Sequence, residues 1–95
     1  TAHSQEAVNM AEIPKQRKKI DEIDDQILLA LCERVKICKA IGDAKKKQCM
    51  PIRDLSRESE VFKRIKEKSS QIGLNAGQVE AVYREIVNMC SAVQE

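Results

Sequence analysis

From Ile20 to Lys45 the apolar residues Ile20, Ile23, Ile27, Leu28, Leu31, Val35, Cys38 and Ile41 recur at three- and four-residue steps. At about 100° per residue they make one stripe along a single helix. Pro14 suits the first turn of that helix, where its missing N–H is not needed. No breaker follows until Gly42, and the periodicity runs past it, so the spacing predicts one helix from about Pro14 to about Gln48. A glycine inside a helix costs about 1 kcal/mol against alanine, a cost that close approach of a ligand or a partner backbone would justify. Pro51 biases Met50 away from helical angles and closes the helix.

Pro51-Ile52-Arg53-Asp54 is then a connector, with Asp54 or Ser56 able to cap a second helix over about Leu55 to Ile72. Its inner face is Val61, Phe62, Ile65 and Ile72. Gly73 before Leu74 reads as a helix stop, with Gly in the left-handed position. Asn75 and Gln78 resemble a capping box opening a third helix, whose apolar residues are Val79, Val82, Tyr83, Ile86, Val87, Met89, Cys90 and Val93. Residues 1–11 lack a sustained period and read as a flexible lead or an added remnant, with Met10 a natural start; residues 12–95 form the helical domain. A first helix of some 35 residues would be about 50 Å long, against a radius of gyration near 12 Å for a compact domain of this size. A second copy must cover its stripe. The expected fold is therefore all-α, with one very long and two shorter helices in an intertwined homodimeric bundle.

Composition narrows the function. Phe62 and Tyr83 are the only aromatics in 95 residues, and the net charge is +2. Single-strand binders need stacking aromatics and groove binders need denser basic clusters, so nucleic acid is not the expected partner. Lys45-Lys46-Lys47 is short enough to be a solvated helix end. Cys32, Cys38, Cys49 and Cys90 have no CxxC spacing, and the single histidine is His3, so no metal is expected. With no signal peptide or membrane span in view, a reducing cytoplasm is the simplest compartment.

Two cations interrupt the stripe. Counted from Ile27, steps of three and four reach Leu31, Arg34, Cys38, Ile41 and Lys45, which puts Arg34 and Lys45 on one face about 16 Å apart. Burying unpaired like charges costs several kcal/mol, so an anion from the protein or from a ligand should lie beside them. Asp54-Leu55-Ser56-Arg57-Glu58 then places an acid, a cation and an acid in the first turn of the second helix. Capping explains the acids, but Arg57 there opposes the helix dipole.

Arg17-Lys18-Lys19-Ile20-Asp21-x-Ile23-Asp24, Leu31-Cys32-Glu33-Arg34, Lys45 and Pro51-Ile52-Arg53-Asp54-x-x-Arg57-Glu58 together resemble the all-helical (AroQ-type) chorismate mutases. The resemblance covers about residues 13–95. It implies a Claisen rearrangement of chorismate to prephenate for aromatic amino-acid biosynthesis, at two equivalent sites per dimer and without cofactor. It implies that Arg17 reaches the site from the neighbouring subunit, while Arg34, Lys45, Asp54, Arg57, Glu58, Cys90 and Gln94 come from one chain. By that resemblance Arg17 and Arg34 grip the two carboxylates, Lys45 and Gln94 donate to the breaking ether oxygen, and Glu58 accepts from the ring hydroxyl. Arg57 and Asp54 position loop and substrate. Cys90 stands where some members have a serine, and a thiol is the weaker donor, so its contact would be lost, taken by backbone or taken by Ser91. Two other readings remain: an isochorismate-pyruvate lyase on the same scaffold, and a non-catalytic helical dimerisation or regulatory module. In the last, Arg34 and Lys45 should pair with protein carboxylates such as Asp24, Glu33 or Glu58 and leave no cavity.

Overall fold

The computed structural model describes residues 10 and 12–95. The lead expected over residues 1–11 lies, Met10 apart, outside the described residues. Three helices follow in order, α1 (Ile13–Lys47), α2 (Leu55–Gln71) and α3 (Ala76–Gln94), and no strand occurs among the described residues. The all-α architecture and its unequal helix lengths agree with the periodicity. None of the described helices is long and apolar enough to cross a membrane.

Local chemistry sets the helix ends. Asp54 caps α2, its Oδ1 accepting from the Arg57 N–H at 3.1 Å. Asn75 caps α3 in the same way, accepting from the Gln78 N–H at 2.9 Å. After α2, Gly73 takes φ 84 while the Leu74 N–H donates to Ser69 O at 2.9 Å, a Schellman closure. The end of α1 differs from expectation. The helix stops ahead of Pro51, where the Met50 N–H donates to Lys45 O at 2.8 Å and the Cys49 N–H to Lys46 O at 3.2 Å. This is the same closure, but Cys49 rather than a glycine occupies the left-handed position, at φ 55. Nothing in the residue types advertises it, because a side chain at positive φ carries a steric cost.

Two units divide the chain, one up to Cys32 and one from Glu33 to Glu95. In the first, Ile20, Ile23, Ile27 and Leu28 of α1 are each more than half exposed. In the second, α2 and α3 pack as a helical hairpin around buried Val61, Ile65 and Val87, with Phe62, Val79 and Tyr83 against them. Arg84 lies 5.3 Å over the Phe62 ring, and Glu80 of α3 holds both Arg84 and, at 2.9 Å, Lys66 of α2. Ile72 departs from the expected inner face: as the α2 C-cap it falls past the last helical turn and is 64% exposed. A fully buried aliphatic side chain contributes about 1.5–3 kcal/mol, so three of them make a small core.

Replacing Cys49 with glycine removes the penalty at positive φ without touching a packed side chain. Cys49→Gly should raise unfolding stability by about 1 kcal/mol, read as a higher urea midpoint at unchanged m-value.

Candidate active site

The site grows from the last three turns of α1. Arg34, Cys38, Ile41 and Lys45 share a face there, and Gly42 is buried beside them. A side chain at Gly42 has no room: a Cβ would sit 2.7 Å from Gln94 Cγ and 2.9 Å from Gln94 Cα. The close approach that justifies this glycine is therefore made by α3 of the same chain. It lays the last turn of α3 directly on α1, and Gln94 is buried there although it is the last helical residue.

That contact sets two pairs of side chains together. One turn before Gln94, Cys90 meets Arg34, whose Nη1 donates to Cys90 Sγ at 2.6 Å and to Cys38 Sγ at 3.8 Å. Beside Gln94 itself, Lys45 Nζ donates to Gln94 Oε1 at 3.2 Å and to the Ile52 carbonyl at 2.7 Å. An ammonium has three donors, so one remains for a ligand. Among the described residues neither Arg34 nor Lys45 makes an ion pair. Their partners are sulfur, an amide oxygen and a carbonyl, which orient the cations without neutralising them.

The Cys38 thiol stays uncharged in this setting. Burial is the main cause that pushes the Cys38 thiol up to about 11, and its bond to Cys90 adds to it, against the pull of Arg34 and Lys45. Near neutral pH no thiolate forms at Cys38 to cancel Arg34.

These cations open onto a cavity of about 280 Å³, close to the lower limit for small-molecule sites. Arg34, Lys45, Asp54, Arg57, Glu58, Cys90 and Gln94 all line it, so the structure brings together seven of the eight residues singled out from sequence. Arg17, the eighth, is exposed on the unit ending at Cys32 and is not among the lining residues. Ile37, Ile41, Ile52, Val61 and Val87 add apolar wall.

The acids are already engaged. Asp54 spends one carboxylate oxygen on the α2 cap. Glu58 is gripped by Arg53, Nε to Oε2 at 2.9 Å and Nη2 to Oε1 at 2.6 Å. That fork is the main cause holding the Glu58 carboxyl below its ordinary range. Arg57 reaches outward to Glu60 at 3.4 Å while still edging the cavity. With one acid capping a helix and the other paired, the cavity keeps an excess of positive charge. Ser91 also lines it.

Three contributors went unassigned in sequence. The Ile52 carbonyl leaves no signal in residue type. The Gly42 contact was legible as a close approach but not as one to α3. Arg53 stood inside the quoted motif without a role; its five-residue spacing to Glu58 crosses a helix cap, where helical periodicity gives no guidance.

The chain belongs to the chorismate mutase type II family, whose model matches residues 16–95. It is 37% identical over 89 residues to a bifunctional chorismate mutase/prephenate dehydratase of Aquifex aeolicus, covering 90% of this chain and 25% of that protein. A chorismate mutase of Methanocaldococcus jannaschii is 38% identical over 63 residues, 64% of either chain. A solved structure of a conserved hypothetical protein from Pyrococcus furiosus, 33% identical, matches with a TM-score of 0.75 over 92% of this chain and 100% of that one. The chain thus spans a quarter of the length of the first relative and less than two thirds of the second.

Gly42→Ala tests the contact that builds the site. Better helix propensity returns up to about 1 kcal/mol, but overpacking against the Gln94 backbone costs about 1–3 kcal/mol. The variant should lose net stability in urea unfolding, whereas an exposed glycine in a helix would gain it.

Proposed function

We propose that this domain rearranges chorismate to prephenate, a step of aromatic amino-acid biosynthesis, in the cytoplasm. One observation carries the reading: Arg34 and Lys45 face a cavity with only neutral partners. A dimerisation module that had lost its ligand would gain by pairing them with Glu58, which instead binds Arg53. The four thiols, Cys32, Cys38, Cys49 and Cys90, are free, as suits a reducing compartment.

The rearrangement is unimolecular and pericyclic, so it needs no nucleophile, metal or redox cofactor. What it needs is a chosen conformer and a donor to the ether oxygen on which charge grows. Arg34 would hold one substrate carboxylate through its fork, selecting the conformer in which the enolpyruvyl carbon lies over the ring. Lys45 would turn its remaining N–H to the ether oxygen, with the Gln94 amide nitrogen donating from the facing side. These bonds strengthen as the C–O bond breaks, so they lower the barrier rather than merely bind substrate. The neutral Cys38 thiol leaves the Arg34 charge available to the carboxylate, while Glu58 accepts from the ring hydroxyl.

The second carboxylate requires another cation. The apolar stripe of Ile20, Ile23, Ile27 and Leu28 is exposed in a single chain, and Arg17 lies three residues before Ile20. A twofold homodimer would bury that stripe and deliver Arg17 to the neighbouring cavity.

Purified protein should deplete the ultraviolet absorbance of chorismate while chromatography shows prephenate; turnover of isochorismate instead would favour the lyase. Lys45→Ala should lower kcat about 100-fold or more, the scale of one donor to a developing oxyanion, and a loss of tenfold or less would remove its role. Arg17→Ala and Arg34→Ala chains, each impaired alone, should regain activity when mixed under subunit exchange. Confirmed exchange without recovery argues against a shared site.

A further inference from the structure

Arg53 lies just outside the cavity, in the connector between the α1 closure and the α2 cap. Its guanidinium takes both oxygens of Glu58 in a bidentate fork, at 2.9 and 2.6 Å, which orients the carboxylate. Exposure is uneven: the Glu58 side chain is 18% exposed and that of Arg53 is 50%. The acid therefore faces the cavity and the guanidinium backs it from the solvent side. Ion pairs half in water add little to stability, so the consequence of this one is positional.

The charges around Glu58 show what the fork prevents. Lys45 of α1 attracts its carboxylate, and Asp54, at the start of α2, repels it. From the end of α3, Glu95 acts on Arg53 and favours its charge. Without Arg53 the strongest remaining attraction draws Glu58 toward Lys45, where it would neutralise the proposed ether-oxygen donor. With Arg53 in place each Glu58 oxygen keeps a spare lone pair for a ligand hydroxyl, and the charge of Lys45 is left uncompensated for the ligand.

We propose that Arg53 is a positioning residue for the rearrangement, clamping Glu58 as a substrate acceptor and keeping it off Lys45; this rests on the chorismate reading above. The test is the pH dependence of kcat and kcat/KM for the 95-residue chain, Arg53→Ala, Arg53→Lys, Glu58→Gln and the Arg53→Ala/Glu58→Gln double variant. Arg53→Ala should lose tenfold or more in kcat/KM, with a fall in kcat as well, because Lys45 is partly neutralised. Arg53→Lys should recover part of this, since it keeps the charge but not the fork. Glu58 is held low in the intact protein, so losing Arg53 raises it, and activity should fail at a higher pH on the acid side. In the Glu58→Gln background Arg53→Ala should have little further effect. An unmoved acid limb, or an equal loss in both backgrounds, overturns the proposal. Parent protein that does not turn over chorismate removes the functional reading itself, whereas active parent with Arg53→Ala within twofold of it removes only the role of Arg53.

Discussion

The close approach of α3 to α1 at Gly42 is the constraint on which the rest of the site depends. With Gln94 pressed against a residue that has no side chain, the last turn of α3 lies flat on α1. Residues four apart on α3 then meet residues eleven apart on α1: Cys90 with Arg34, and Gln94 with Lys45. The terminal turn of a helix usually frays. Here burial of Gln94 against α1, together with the Lys45 bond, ties that turn to the longest element of the fold.

Charge is arranged around this contact by the choice of acceptors. Two half-buried cations would normally draw carboxylates, and five acids lie within a short stretch of chain after the connector begins: Asp54, Glu58, Glu60, Glu67 and, in α3, Glu80. None reaches Arg34 or Lys45. Asp54 caps a helix, Glu58 is held by Arg53, Glu60 faces Arg57, and Glu80 bridges Lys66 and Arg84. Four of the five have their own partners, so the cations keep their charge for an anionic ligand. The desolvation cost of an unpaired cation is moderated by sulfur, amide and carbonyl oxygens, which lower the energy of the charge without removing it.

The connector links backbone strain to site geometry. The Schellman closure at Cys49 turns the chain back over the end of α1, so that the carbonyl of Ile52 falls on Lys45 Nζ. Two residues later the Asp54 cap starts α2 and presents Arg57 and Glu58 at the cavity rim. A left-handed cysteine is costly in isolation; the helix closure and the Lys45 bond on either side of it determine the path regardless.

Much of this was legible in the chain itself, because the relevant physics is local. Helical period is a property of consecutive residues, so three helices, their unequal lengths and the alignment of Arg34 with Lys45 follow from spacing alone. Side-chain caps are equally local, and Asp54, Gly73 and Asn75 act as their types suggest. The resemblance to the family, and not spacing alone, gathered the residues from Arg34 to Gln94 that line the cavity. What tertiary structure alone decided is which atoms face one another across helices. That Gly42 accommodates Gln94, that Arg34 rests on thiols, that Glu58 belongs to Arg53 and that a backbone carbonyl steadies Lys45 are all products of packing. Residue type gives the capacity to donate, accept or carry charge; only the approach of one helix to another selects the partner.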